Sequence, residues 1–92
     1  MRLIRRLVIH GRVQGVFYRG WSVEQASALE LAGWVRNRRD GTVEMLVSGE
    51  EAAVAEMIAR CRRGPPAARV DRIEVEESAD EVPTGFETRP TR

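Results

Sequence analysis

Gly11-Arg12-Val13-Gln14-Gly15-Val16-Phe17-Tyr18-Arg19 joins an apolar run that reads as a strand to an amphipathic run that reads as a helix. Two glycines bracket three other residues, and the stretch ends in an arginine. A strand feeding a tight loop that opens a helix turns several main-chain N–H groups toward one point. Such a concavity attracts an anion, and arginine adds a forked, permanently charged donor. The stretch therefore reads as a phosphate cradle that the rest of the chain holds still.

Upstream, Leu3 to His10 is rich in β-formers, with Leu7 and Ile9 on one face and Val8 and His10 on the other. Downstream to Leu31, Trp21, Ala26, Leu29 and Ala32 fit one helical face, with Ala28 and Glu30 turned away. Two start signals conflict for this helix. Ser22-Val23-Glu24-Gln25 has the capping-box pattern and places the start after Arg19. The cradle requires helical turns from about Tyr18, and that earlier start is the reading adopted, with Ser22 in the first turn. Gly33 then closes the helix as a glycine just past its end.

Farther on, Asp40-Gly41 separates two β-capable runs, the strongest short-range hairpin signal. Val43, Met45 and Val47 share one face of the second arm; Thr42, Glu44 and Ser48 share the other. Ser48-Gly49-Glu50-Glu51 reads as the cap of a second helix, with Val54, Met57, Ile58 and Cys61 as its buried stripe. Arg60, Arg62 and Arg63 fill its last turn, and Gly64-Pro65-Pro66 ends it. Val70 to Glu76 alternates as a strand with Ile73 and Val75 inward. Ser78 to Thr84 reads as loop, and Phe86 to Arg89 as a short last strand. The order predicts an α+β, ferredoxin-like split βαβ fold: a βαββαβ antiparallel sheet with two helices on one face, plus a short C-terminal strand.

The 92 residues suit one domain, 1–92, able to bury about 60–65% of its unfolded surface. No apolar run approaches membrane-spanning length, and Met1-Arg2-Leu3-Ile4-Arg5-Arg6-Leu7 lacks the pattern of a signal peptide. A lone cysteine excludes an intrachain disulfide, and a cytoplasmic address follows. All fifteen basic residues are arginine, so lysine chemistry is unavailable, although genome composition alone accounts for such a bias. The net charge of +1 gives no electrostatic case for nucleic acid. With one histidine (His10), one cysteine (Cys61) and one tyrosine (Tyr18), a Cys/His zinc site cannot be assembled, and a serine triad would have to use a strand histidine.

Gly11–Arg19, followed by Gly33-Trp34-Val35-Arg36-Asn37 and Gly41-Thr42-Val43, resembles the acylphosphatase family in order and separation over essentially the whole chain. Tyr18 departs from the phenylalanine usual there, and its hydroxyl needs a partner. The resemblance implies hydrolysis of a carboxyl–phosphate anhydride to a carboxylate and inorganic phosphate. It further implies that Arg19 and the loop amides hold the phosphate while Asn37 orients the attacking water. The residues themselves suit those roles. A transferring phosphoryl group spreads negative charge over its equatorial oxygens, so positioning and electrostatics dominate its catalysis. Arg19 can grip two of those oxygens. The N–H groups of Gln14, Gly15, Val16, Phe17, Tyr18 and Arg19 supply the remaining contacts as a nest, with Val13 and Val16 keeping water away. Asn37 offers a neutral amide that orients water without repelling the phosphate, although asparagine near a turn often serves the turn alone.

The expected partners are a small-molecule acyl phosphate and inorganic phosphate, as product and inhibitor. No metal, cofactor, nucleic acid or membrane is expected, and the chain is expected to act as a monomer. Arg12 reads as a solvated flank, His10 as a strand residue, Trp21 and Trp34 as core, and Cys61 as buried and inert. Arg36, Arg38 and Arg39 read as a solvated hairpin, with substrate steering as the alternative. The rival reading is a non-catalytic ferredoxin-like module binding anions or RNA on its open sheet face, for which exposed aromatics and a basic sheet are required. Another is a carbamoyl-phosphate-binding domain of the kind found within hydrogenase maturation factors, for which the chain is short.

Overall fold

A computed structural model describes all residues, Met1–Arg92. The elements run β1 (Arg2–Arg12), α1 (Tyr18–Ala28), β2 (Ala32–Asn37), β3 (Val43–Glu50), α2 (Glu51–Arg63), β4 (Arg69–Glu77) and β5 (Phe86–Thr88). They form one sheet of order β4-β1-β3-β2-β5 with both helices against it. The split βαβ plan holds. The sheet is mixed rather than wholly antiparallel, because β5 adds to β2 in parallel. The chain reaches that edge by a long return after β4, and a short parallel strand is what such a crossover leaves.

Side-chain alternation sets the two faces. Leu7 and Ile9 of β1 lie opposite Met45 and Val43 of β3 and Val75 and Ile73 of β4. With Val35, Val47, Val54, Met57 and Cys61 they build the core beneath the helices. Ile58 is only half-buried at the margin of its stripe, and Val75 is 41% exposed because β4 is a sheet edge.

Two local expectations give way to packing. Helix α1 stops at Ala28, short of Leu31, and Glu30, not Gly33, takes the left-handed turn at φ 57°. The N–H groups of Glu30 and Leu31 donate to Ser27 and Ala26 oxygens, a Schellman closure that drops Leu31 into the core. Gly33 is a strand residue whose φ of 145° and missing side chain admit the Leu46 carbonyl; a Cβ would lie 1.9 Å from that oxygen. Likewise β3 runs through Ser48 and Gly49 to Glu50, so these residues pair with β1; Glu50 alone stands at the N-cap of α2, which opens without a side-chain cap. The early start of α1 at Tyr18 is as expected, and Ser22 is not its cap. It sits one turn inside α1 and donates to the Tyr18 carbonyl at 2.7 Å.

Tyr18 links the helices. Its ring meets Trp21 edge-on at 5.4 Å, and its hydroxyl donates to the Cys61 carbonyl at 2.6 Å. That carbonyl would ordinarily serve the N–H four residues on, but residue 65 is a proline. Burial pushes the Tyr18 hydroxyl well above its ordinary value and the Cys61 thiol up to about 12, which leaves the thiol inert. Tyr18→Phe orphans a buried carbonyl. It should cost about 1–2 kcal/mol and lower the thermal midpoint by roughly 5–15 °C in a domain this small. An unchanged melting curve by circular dichroism would show that the carbonyl finds another donor.

The opposite face of the sheet is closed by charge. Glu44, 6% exposed, receives Arg36 Nε at 2.7 Å and is also paired with Arg6, which reaches Glu76. Burial opposes ionisation of Glu44, but the two arginines outweigh it and hold the carboxyl below its usual range. Arg36 and Arg89 lie over the Trp34 ring at 4.5 and 5.2 Å. Trp34 is thus covered on the open face, not in the main core, and offers no bare ring for a base to stack on.

Candidate functional site

The site forms where β1 gives way to α1. Strand β1 continues through Gly11 and Arg12, two residues beyond the expected end, because a register shift at His10/Gly11 carries pairing with β4 onward. Gly11 permits this, since a Cβ there would strike the Arg69 carbonyl at 2.1 Å. The chain then folds tightly over residues 13–17. Gly15 and Phe17 both occupy the left-handed region, at φ 72° and 68°. Val13 and Val16 are buried beneath and anchor the loop in the core.

None of the main-chain N–H groups from Gln14 to Gly20 donates to a main-chain carbonyl; the first to do so is Trp21, to Phe17 at 3.0 Å. Alternation of left-handed and right-handed residues makes such a run concave, and the start of α1 adds its orphan donors and positive dipole end. Beside it lies a cavity of about 310 Å³, bordered by Gly15, Phe17, Arg19, Gly20, Asn37 and Thr88 among others. Arg19 is exposed and forms no ion pair, whereas the arginines of the sheet face are tied to acids.

Asn37 reaches the same cavity from another part of the chain. In β2 it shares a face with Val35, the helix-covered face, and it is the strand's last residue. Its position is fixed from two sides. Gln14 Nε2 donates to the Arg38 carbonyl at 2.7 Å and the Thr42 carbonyl at 2.9 Å, lacing the loop to the hairpin. The Arg92 N–H donates to the Asn37 carbonyl, and the Arg39 N–H to the Arg92 carbonyl, each at 3.0 Å. Asp40 closes the turn by accepting from the Thr42 hydroxyl and N–H, which hold its carboxyl below its ordinary value.

Of the residues picked out from the sequence, Gly15, Phe17, Tyr18, Arg19 and Asn37 line the cavity. The Tyr18 ring itself is buried, with its hydroxyl on the Cys61 carbonyl of α2. Gln14 and Val16 do not line it: the first is a structural lace and the second is core. Val13, read from the sequence as shielding the loop, borders the cavity too, and Gly20 and Thr88 do so without having been picked out. Thr88 arrives only through the parallel pairing of β5, opposite Val35, and no local pattern reports that. Arg36 points to the far face, Arg38 pairs loosely with Asp40 at 3.6 Å, and Arg39 is exposed.

The arrangement suits a tetrahedral oxyanion gripped by amides and one guanidinium, with a neutral amide across from it. Comparison with known proteins identifies the family. A family model described as Acylphosphatase matches residues 5–88. A protein named acylphosphatase from Rhizorhabdus wittichii is 56% identical over 90 residues, covering 98% of this chain and 91% of its own. The crystal structure of acylphosphatase from Bacillus subtilis superposes with a TM-score of 0.89 at 37% identity, over 97% of this chain and 99% of that one. The structure of an acylphosphatase from Coxiella burnetii gives 0.91 at 33% identity, over 96% and 93%. No helix is long and apolar enough to cross a membrane. With the family model spanning nearly every residue and the fold shared along the full length, the chain belongs to the acylphosphatase family.

Proposed function

We propose that this chain acts as a single-domain, monomeric, cytoplasmic acylphosphatase in which Arg19 and the loop amides bind the phosphoryl group and Asn37 orients the attacking water. The observation that carries this reading is the unbonded row of N–H groups from Gln14 to Gly20, with unpaired Arg19 at its end and Asn37 across the same cavity.

The chemistry needs little more. Water attacks phosphorus in line with the bond to the acyl oxygen; that P–O bond breaks, and its electron pair leaves on the carboxylate. The water's oxygen stays on phosphorus as inorganic phosphate, which releases a proton to solvent. A carboxylate is already a good leaving group, so the residues in these roles need only gather charge and fix geometry. The Arg19 fork and the amides meet the charge that grows on the equatorial oxygens. Asn37 accepts from or donates to the water without adding negative charge beside a dianion. Inorganic phosphate, the product, fits the same donors and competes.

The test is hydrolysis of benzoyl phosphate by purified protein in excess EDTA, with inorganic phosphate as competitor. Turnover with competitive inhibition is expected. Absence of turnover, with phosphate still raising the thermal midpoint, would leave an anion-binding module instead.

Gln14 contributes as a positioning residue. Gln14→Met removes both laces to the hairpin while keeping side-chain length, so Asn37 drifts relative to the phosphate. A displacement near 1 Å costs about a hundredfold where geometry is the catalyst, and a partial release should lower kcat by about tenfold. The inhibition constant for phosphate, which Asn37 does not govern, should move less than about threefold. Equal losses in both would mean that Gln14 shapes the cradle itself.

A further inference from the structure

One wall of the cavity is left unused by a phosphoryl group. Phe17 is 64% exposed, and among the cavity-lining residues it alone presents a large apolar surface, the side chains of Val13 and Tyr18 being buried. Its main chain also lies in the left-handed region at φ 68°, unfavourable for a bulky residue. The fold therefore places an aromatic ring in water on a conformation that aromatic residues avoid, at the rim of the site. The ring has a defined seat. It rests over Gly20 so closely that a Cβ there would stand 2.3 Å from ring carbon Cε1.

We propose that the Phe17 ring is the docking surface for the acyl half of the substrate, and that it selects flat, apolar acyl groups, aromatic ones above all, over short ones. This rests on the hydrolase reading and extends it to the other half of the molecule. The N–H of Phe17 is part of the cradle, so a phosphoryl group held there keeps its acyl substituent within reach of the ring on the same residue. Asn37 and Thr88 make the opposite wall polar, so the hydrocarbon part of the acyl group has one apolar face to meet. The glycine at position 20 keeps the ring down on the first turn of α1, where it borders the cavity.

The experiment compares binding of benzylphosphonate and methylphosphonate by titration calorimetry; both are non-hydrolysable, and only the first carries a ring. The wild-type chain should bind benzylphosphonate about fivefold tighter, the usual scale for one aromatic contact. Phe17→Ala should abolish that preference, bringing the ratio of the two Kd values to about one. Gly20→Ala, which pushes the ring off its seat without deleting it, should reduce the preference as well. The ratio of kcat/KM for benzoyl over acetyl phosphate should fall in parallel. A preference that survives in Phe17→Ala overturns the proposal, as does equal loss of both phosphonates, which would make Phe17 a support of the loop. A Phe17-dependent preference without hydrolysis of either acyl phosphate would overturn the hydrolase reading and leave the apolar wall assigned.

Discussion

Arg19→Gln is expected to reduce kcat/KM for benzoyl phosphate by about a thousandfold or more, the range seen when a guanidinium that meets phosphoryl charge is removed. The physical basis is specific to this site. Arg19 forms no ion pair, so its charge is not already spent on a protein carboxylate. It is the second residue of α1 and follows directly on the loop, so in the proposed mechanism guanidinium and amides serve one anion. Glutamine keeps a polar side chain of similar reach but loses the charge and the two-pronged geometry. Arg19→Lys restores the charge without the fork and should still lose about a hundredfold. Both variants should also weaken competitive inhibition by phosphate, because the same contacts hold the product. Stability should hardly change, since Arg19 is exposed and unpaired. Steady-state rates, phosphate inhibition constants and melting curves on the three proteins suffice. A glutamine variant with near wild-type turnover would remove Arg19 from the mechanism.

Asn37→Ala should produce the complementary result. Here kcat is expected to drop by about a hundredfold to a thousandfold, while the inhibition constant for phosphate stays within about threefold. That split follows from placement. Asn37 lies across the cavity from the amide row and is held by main-chain bonds that the substitution leaves intact, so the anion site survives when the amide is removed. Asn37→Asp is a sharper form of the test. It keeps the shape and adds a negative charge beside the phosphoryl group, so phosphate binding should weaken as well as turnover. Loss of phosphate binding in Asn37→Ala itself would recast the residue as an anion ligand, and unchanged turnover would reduce it to a turn residue.

The same residues show how far the sequence could be read. The place of Arg19 beside the cavity was legible because the features that set it are adjacent: two glycines, an apolar anchor on either side of Gly15, and a helix start. Asn37 was legible only through its lead-in and the family resemblance; on its own it equally suited a turn. Gln14 was chosen for its amide N–H, and nothing local announces that its side chain spans to Arg38 and Thr42. The misplaced end of α1 has the same origin. Gly33 has the composition of a helix stop, yet its freedom from a Cβ is used for the Leu46 carbonyl of a neighbouring strand. Glu30 then turns left-handed at a cost of about 1 kcal/mol, offset by the burial of Leu31.

Determined by the sequence alone were the element order, the Asp40-Gly41 hairpin, the face assignment of the strands and the tight loop between β1 and α1. Each depends on φ/ψ preferences, glycine placement or hydrophobic period within a few residues, and such signals are written where they act. Tertiary structure alone decided that Asn37 faces the cradle, that Thr88 joins the cavity through a parallel edge strand, that Arg92 and Gln14 brace the hairpin, and that Tyr18 serves the carbonyl that Pro65 cannot. These depend on contacts between distant parts of the chain, where burying a side chain or satisfying a buried polar group is worth about 1–3 kcal/mol. Local propensities differ by about 1 kcal/mol or less, so where the two disagree the distant contact prevails.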